Sequence, residues 1–345
     1  MGVGAWGRNA GLLSCGRPHP PSVDTAIMND QQRKARGPQP PTKRNAADPI
    51  AAALERVVSA TDPRLRQLSG YARQLRGPVE QALAQLDILV AALAPPMELS
   101  LAAREREHLL RALFPSPKAL AELVSASRAR QDLLRRLEPN EVDEAFGTLL
   151  LRCDAGSEPA ADQEAHNFAG REPRLTLVAS SAPELAETLR SKALEYLCLC
   201  ALLRIVENAS DAAAENESRG LLRAKLKAVE RQGHGFVALY ANREPSGEAV
   251  EAAHRRLGQI ERELGTVHAG APALRRALAV IREVLEASGS LLRHERVELT
   301  VGESDSRTRS RIETIRYSCD QLVLEGERRL DVLLARVPVA AVAGD

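Results

Sequence analysis

The stretch VEAAHRRLGQIERELGTV, residues 250–267, carries the strongest structural signal in the sequence. Its apolar residues recur at alternating three- and four-residue spacings, which is the a/d stripe of a heptad pattern. A similar stripe follows after a break at Gly270 and Pro272. The stripe residues are Val250, Ala253, Leu257, Ile260, Leu264 and Val267 in the first run and Leu274, Leu278, Ile281 and Leu285 in the second. The two runs predict two amphipathic helices.

The length of the runs indicates how these helices pack. Each run covers only about two and a half heptads, below the three to four that indicate an independent coiled coil. Because the break between them is short, we expect an antiparallel helical hairpin, which is a short coiled coil within one chain. The alternative is a parallel dimer, in which Arg256 at a g position pairs with Glu261 at the following e position of a second chain.

A further apolar stripe runs from about Asp305 to Val337 and predicts a terminal amphipathic helix, interrupted at Gly326. We expect this helix to dock on another surface, because the glycine would weaken it in isolation. The residues proposed for helix packing or partner contact are Val250, Leu257, Ile260, Leu264, Leu278, Ile281 and Leu285 in the hairpin and Ile312, Ile315, Leu322, Leu330 and Leu333 in the terminal helix.

The composition also favours helices. Hydrophobic residues make up 44% of the 345 residues, but aromatic residues only 3%, so the core must consist mainly of Leu, Val, Ile and Ala. Residues 1–50 hold seven basic and three acidic residues, which leaves 40 basic and 43 acidic residues in the remainder. Arg and Glu are interspersed there, so nucleic acid is disfavoured as a partner. The abundance of Arg and Ala indicates a bacterial origin.

Four parts are predicted along the chain. Residues 1–46 are rich in Gly, Pro and Arg and form a disordered leader, of which residues 1–27 are interpreted as an upstream extension before Met28. Residues 47–140 form a helical bundle, residues 141–303 a helical domain with a small sheet and the hairpin, and residues 304–345 the terminal helix and tail. Helix starts in the bundle are marked by Asp48–Pro49, Asp62–Pro63, Ser100 and Ser116–Pro117, and Gly77–Pro78 marks a stop or restart.

Short apolar runs from Thr148 to Cys153 and from Arg174 to Ser180 are the best strand candidates. They predict an antiparallel pair joined by a long mobile loop over residues 154–173. Alternation at Val297–Val301 predicts a third strand. The expected fold class is therefore mainly α: a helical bundle with a helical hairpin and a small antiparallel sheet of two or three strands.

The order of these elements supports a resemblance. A strand pair at Phe146–Arg152 and Arg174–Val178 precedes a long helix, a paired-helix region and a closing strand at Val297–Val301, while Leu113–Pro117 forms a turn. This layout resembles an uncharacterised bacterial family of mostly helical, coiled-coil-like proteins over residues 48–301. The resemblance implies a helical fold and no particular activity.

No motif nominates a catalytic, cofactor or metal site. The G-x-G-x-x-G at Gly2–Gly7 has no strand before it, and the seven histidines form no H-x-x-x-H or H-E-x-x-H pair. Cys198 and Cys200 fall on a helical run, where residues two apart point about 200° apart, so we interpret them as buried small side chains. The acidic groups at Glu141–Glu144 and Glu303–Asp305 suit helix starts.

The sequence thus favours a non-enzymatic interaction or scaffold protein that contacts itself or a protein partner through residues 250–292 or 306–336. The first alternative is a small-ligand-binding protein or enzyme whose site is assembled from separate helices. A pocket that unites His166, His234 or His294 with carboxylates would support this alternative. The second is a nucleic-acid-associated regulator that uses the basic leader. Cysteine usage and the lack of a long apolar run predict a cytoplasmic protein without membrane insertion or cofactor. Its oligomeric state stays open.

Overall fold

The structure is a computed structural model, and it describes residues 48–136, 143–153, 166–167, 171–208, 213–232, 247–267, 270–302, 314–326 and 328–338. Residues 49–345 form one compact unit, and all helices and strands given below belong to it. The predicted leader lies outside the described residues. Of the loop predicted at residues 154–173, residues 154–165 and 168–170 also lie outside them, whereas residues 166–167 and 171–173 belong to strands.

The N-terminal helical segments are α1 (Pro49–Ala60), a 3-10 helix (Pro63–Gln67), α2 (Tyr71–Ala92), α3 (Leu101–Arg106), α4 (His108–Leu113), α5 (Pro117–Ala126) and α6 (Arg128–Arg136). Four of them, namely α1, the 3-10 helix, α3 and α5, begin at the start signals in the sequence, whereas α2, α4 and α6 begin at residues that carried no such prediction. The Ser100 and Ser116 hydroxyls each accept a hydrogen bond from a main-chain N–H of the first turn, as N-caps do. The predicted break at Gly77–Pro78 is wrong, because α2 continues through it. Leu75 and Val79, on either side of the proline, are both fully buried on one face, and this packing outweighs the cost of an interior proline.

Among the described residues, five helices follow in the second half of the unit. They are α7 (Ala182–Glu207), α8 (Ala213–Gln232), α9 (Gly247–Thr266), α10 (Ala271–Glu286) and α11 (Ser288–Leu291). The Ser181 hydroxyl accepts a hydrogen bond from Glu184 N at 3.3 Å and caps α7. Cys198 and Cys200 are buried in this helix, as the sequence predicts.

Seven strands form one sheet. They are β1 (Met97–Glu98), β2 (Glu144–Cys153), β3 (His166–Asn167), β4 (Arg171–Ala179), β5 (Leu292–Gly302), β6 (Thr314–Leu324) and β7 (Arg328–Pro338). Their order is β3-β5-β6-β7-β2-β4, and β1 pairs with β7 beside the end of β6. The five long strands pair with one another in antiparallel orientation, whereas the two-residue strands β1 and β3 run parallel to β7 and β5.

Helices cover both faces of this sheet. Leu150 of β2 and Leu330 of β7 pack into a core that they share with α1, α2 and α7–α10. Strand residues at odd separations from these two point to the other face, where Leu149 and Leu333 pack against α3–α6. Because successive strand residues alternate between faces, the central strands are apolar on both sides.

The mostly helical fold with an antiparallel sheet is confirmed, but the sheet is larger than the two or three strands predicted. The terminal helix from Asp305 to Val337 is wrong over the described residues, which form β6 and β7 there. A short apolar run that is buried on both faces fits a helix and a central strand equally well. Gly326 has a φ of 77° and lies in the short connection between the two strands. It supplies the left-handed conformation of a hairpin turn and does not weaken a helix.

The two heptad runs do form helices, α9 and α10. However, α9 packs mainly against α8, whereas α10 packs against α7 and α2. The arms of the predicted hairpin therefore have separate main partners. Heptad spacing shows that a helix has one apolar face, but any amphipathic neighbour can cover that face.

Candidate functional site

A cavity of about 440 Å³ lies between α1, α7, α8 and α9. Four segments that are distant in sequence meet here, so no local motif marks the site. The residues that line it are Ala52, Glu55, Arg56, Ser59 and Ala60 of α1, Glu195, Cys198, Leu199 and Leu202 of α7, Lys225 and Val229 of α8, and Leu257 and Glu261 of α9.

The lining has a polar rim and an apolar floor. Ala52, Glu55 and Arg56 are exposed at the rim. The floor is buried and consists of Cys198, Leu199, Leu202, Val229 and the side chain of Lys225. A concave, mainly apolar site with a few placed polar groups is the usual form of a small-molecule pocket.

Lys225 is the most unusual group of the floor, because its side chain is only 1% exposed. Its Nζ donates hydrogen bonds to the main-chain oxygens of Ser59 at 2.5 Å and Thr61 at 3.0 Å, at the C-terminal end of α1. These carbonyls belong to a helix end, where a cation is favourable. The carboxylate of Glu261 lies 3.6 Å from Nζ. Burial lowers the pKa of Lys225, although Glu261 and Asp62 act in the opposite direction.

A second group of polar contacts holds α8 in its position beside the cavity. Asp62 and Arg64 form a buried ion pair of 2.8 Å. Arg64 Nη1 also donates a hydrogen bond to Ser218 Oγ at 2.8 Å. Ser218 lies two turns before Lys225 on α8, so both residues join this helix to the segment around the end of α1.

Cys198 is a poor nucleophile. Burial raises the pKa of its thiol to about 12, and the nearby carboxylate of Glu195 raises it further. Lys225 and Arg56 act on the same thiol in the opposite direction. Since only the thiolate is reactive, Cys198 contributes apolar surface to the cavity at neutral pH.

The carboxylates that line the cavity are all paired. Glu55 lies 3.0 Å from Arg66, and a hydrogen bond from Tyr71 at 2.8 Å lowers the pKa of Glu55. Glu195 lies 2.8 Å from Lys192, and Glu261 faces Lys225. Arg56 differs, because among the described residues it forms no ion pair. Its Nη1 donates one long hydrogen bond, of 3.4 Å, to Ser191 Oγ.

A separate polar cluster surrounds Asp320 of β6, whose side chain is 2% exposed. It accepts hydrogen bonds from Ala94 N at 2.6 Å, from His294 Nε2 at 2.9 Å and from Arg296 Nη2 at 3.1 Å. Both carboxylate oxygens are occupied by these bonds. The cluster therefore joins the end of α2 to β5 and β6, and does not leave Asp320 open to a ligand.

The structure buries most of the residues proposed for partner contact against other parts of the same chain. Those that are buried are Ile260, Leu264, Leu278, Ile281 and Leu285 on helices and Leu322, Leu330 and Leu333 on strands. Val250 and Leu257 are half-buried, Ile315 lies on β6, and Ile312 lies outside the described residues. Intrachain packing occupies these faces, except that Leu257 also lines the cavity. Of the three histidines considered for a site, His294 meets a carboxylate, that of Asp320.

Sequence reasoning missed the cavity, although one signal was present. On α8, Ser218, Leu222, Lys225 and Val229 follow the three- and four-residue spacing of a buried face. A lysine at a core position of such a stripe is expensive unless it is satisfied by hydrogen bonds. Lys225 therefore marks a specific polar contact, but its partners come from α1 and cannot be found by local pattern.

Comparison of the chain with protein families, with curated proteins and with solved structures found no match. The resemblance to a bacterial helical family stays a prediction. Among the described helices, none combines the length and apolar content needed to cross a bilayer. Within the same ranges, no group of three or more His, Cys, Asp or Glu side chains is arranged to hold a metal ion.

Proposed function

We propose that the protein binds a small, mainly apolar molecule in the cavity between α1, α7, α8 and α9. The observation that carries this proposal is the cavity itself, whose volume of about 440 Å³ falls in the range of small-molecule sites. Its floor is apolar and its polar groups are few. This is the alternative that the sequence left open, a ligand site assembled from separate helices.

The chemistry of the lining favours binding over covalent catalysis. The Cys198 thiol is protonated at neutral pH because burial raises its pKa to about 12. The Lys225 ammonium is already directed at two main-chain oxygens. The interaction or scaffold role expected from the heptad stripes loses support, since intrachain packing buries most of the residues nominated for it.

The test is to fill the cavity and measure ligand binding. Leu199→Trp places an indole on the floor, whereas Leu203→Trp adds the same group one turn away on α7, where the side chain is 40% exposed and outside the lining. Isothermal titration calorimetry with dodecanol, a neutral apolar probe, should show binding to the native chain and to Leu203→Trp. We expect Leu199→Trp to bind at least about tenfold more weakly, a loss of about 1.4 kcal/mol.

Ala60→Leu is a milder filling variant, for the case in which Leu199→Trp does not fold. Dodecanol at about one hundred times its Kd should stabilise the native chain by about 2.7 kcal/mol in thermal unfolding. Either filling variant should lose most of this gain. The proposal is wrong if dodecanol does not bind, or if folded filling variants bind it as well as Leu203→Trp does.

A further inference from the structure

The acidic and basic side chains that line the cavity differ in whether they have ion-pair partners. Each of the three carboxylates in the lining has a cationic partner within 4.0 Å, namely Arg66, Lys192 or Lys225. A cationic ligand would therefore have to displace an existing ion pair. Arg56 offers the opposite situation, because among the described residues no carboxylate pairs with it.

The position of Arg56 is also suitable for holding a ligand. It is exposed at the rim, on the same helix as Ala52 and Ala60, and its long hydrogen bond to Ser191 leaves most of its donors available. A guanidinium presents five N–H donors in a planar fork that fits the two oxygens of a carboxylate. A carboxylate bound here replaces water at the rim and needs no burial of its charge.

The floor accommodates the rest of such a molecule. Leu199, Leu202 and Val229 are less than 9% exposed and face a space large enough for an extended or folded alkyl chain. Removing such a chain from water contributes about 25 cal/mol per Å² of apolar surface buried. The guanidinium of Arg56 at the rim and the mainly apolar floor are therefore in separate places, which suits an amphipathic anion.

We propose that the ligand is an amphipathic monocarboxylate of the fatty-acid type, with its carboxylate on Arg56 and its apolar chain on the floor formed by Leu199, Leu202 and Val229. This inference rests on the proposed binding function and specifies its ligand class. Arg56 selects the head group, and the floor supplies most of the affinity.

The test compares three probes with the same chain, used below their micelle-forming concentrations: dodecanoate, dodecanol and dodecyltrimethylammonium. Isothermal titration calorimetry of the native chain should show dodecanoate binding about three- to tenfold more tightly than dodecanol, as expected for an exposed ion pair. Dodecyltrimethylammonium should bind more weakly than either. The preference for dodecanoate should decrease in high salt, because the charges at the rim are exposed.

The variant Arg56→Gln should remove the preference for dodecanoate, so that dodecanoate and dodecanol bind this variant about equally well. Arg223→Gln is the matched control, since it removes an exposed arginine of α8 that lies outside the lining. It should keep the preference intact.

Failure of the two proposals can be distinguished. If dodecanol binds but dodecanoate binds no better, or if Arg56→Gln retains the preference, the carboxylate assignment is wrong while the cavity remains a binding site. Tighter binding of dodecyltrimethylammonium also overturns the assignment. If none of the probes binds, the proposed function itself fails.

Discussion

The substitution Asp320→Asn tests whether one buried carboxylate fastens the helical layer to the sheet. Asp320 Oδ2 accepts the hydrogen bond from Ala94 N, and Oδ1 accepts those from His294 and Arg296. Asparagine has almost the same shape but carries an N–H group in place of one oxygen. Whichever way the amide is turned, one donor of the cluster then faces another donor and loses its acceptor.

The cost follows from the burial of the site. A buried donor without a partner costs about 1–3 kcal/mol, and hydrogen bonds to a charged acceptor are worth about 1.5–3 kcal/mol each. The ion pair with Arg296 adds less than about 1 kcal/mol, because this arginine is 52% exposed. We expect Asp320→Asn to reduce the free energy of unfolding by about 2–4 kcal/mol at pH 7. This corresponds to a fall in Tm of about 5–10 °C.

The loss should also depend on pH. Burial alone would raise the pKa of Asp320, but the hydrogen bonds from Ala94, His294 and Arg296 outweigh it and lower the pKa below 3.8. The unfolded chain therefore takes up this proton before the folded chain does. The contribution of the carboxylate is complete above the unfolded pKa and is lost as the pH falls through the folded value. The difference between native chain and variant should therefore shrink as the pH falls below the unfolded pKa of the carboxyl group.

Urea unfolding followed by far-UV circular dichroism measures both effects. Asp132→Asn is the matched control, since Asp132 is 49% exposed and pairs with Arg128 and Arg135 on the surface of α6. Its cost should stay within about 0.5 kcal/mol. The reasoning is refuted if Asp320→Asn costs no more than this control, or if its cost is the same at pH 3 as at pH 7.

Three further predictions concern single residues. Lys225→Met removes two hydrogen bonds to main-chain oxygens and should cost about 2–3 kcal/mol at pH 7. Burial lowers the pKa of Lys225 below 10.5, so the unfolded chain binds more protons than the folded chain just below pH 10.5. The native chain should therefore gain stability relative to the variant as the pH rises through this range. Urea unfolding at pH 7 and at pH 10 measures this gain, and the same difference in unfolding free energy at both pH values would contradict it. Gly147→Ala places a methyl group 2.8 Å from a leucine carbon of the adjacent strand and should lower the free energy of unfolding by about 1–3 kcal/mol. The control Gly220→Ala in α8 meets no atom within 4 Å and should raise it by about 0.5–1 kcal/mol. Denaturation midpoints compare the two variants. Cys198 and Cys200 should resist iodoacetamide until the chain unfolds, since burial raises the pKa of both thiols to about 12. Peptide mass spectrometry measures the labelling, and rapid labelling of either cysteine in the folded chain would disprove the prediction.

Local signals in the sequence predicted many elements correctly. Ser100 and Ser116 start helices because their hydroxyls satisfy the N–H groups of the first turn, an interaction within three residues. The antiparallel pairing of β2 and β4 was also predictable, as two short apolar runs joined by a polar segment. The terminal strands β6 and β7 were not, because their apolar residues fit a helical stripe as well as a central strand.

The candidate site could not be predicted, because it depends on contacts between residues that are distant in sequence. Lys225 could be recognised as a charge on a buried face, but the oxygens of Ser59 and Thr61 that satisfy it are more than 160 residues away in sequence. Arg56 has no carboxylate partner among the described residues, and this depends on which carboxylates the fold brings near it, a distance that a sequence does not contain. The heptad stripe at Val250–Val267 likewise predicted a helix but did not indicate which element this helix packs against.

The sequence by itself determined where the serine-capped helices start, which faces of the helices are apolar and that the core would be built from aliphatic side chains, because these follow from composition and from interactions within a few residues. Only the tertiary structure decided that β7 lies between β6 and β2, that α9 packs on α8, and that four helices enclose a cavity with Lys225 in its floor. The physical reason is that burial free energy depends on the apolar area covered and not on the identity of the covering element. Shape and the few specific polar contacts select the partner, and they exist only once distant segments have come together.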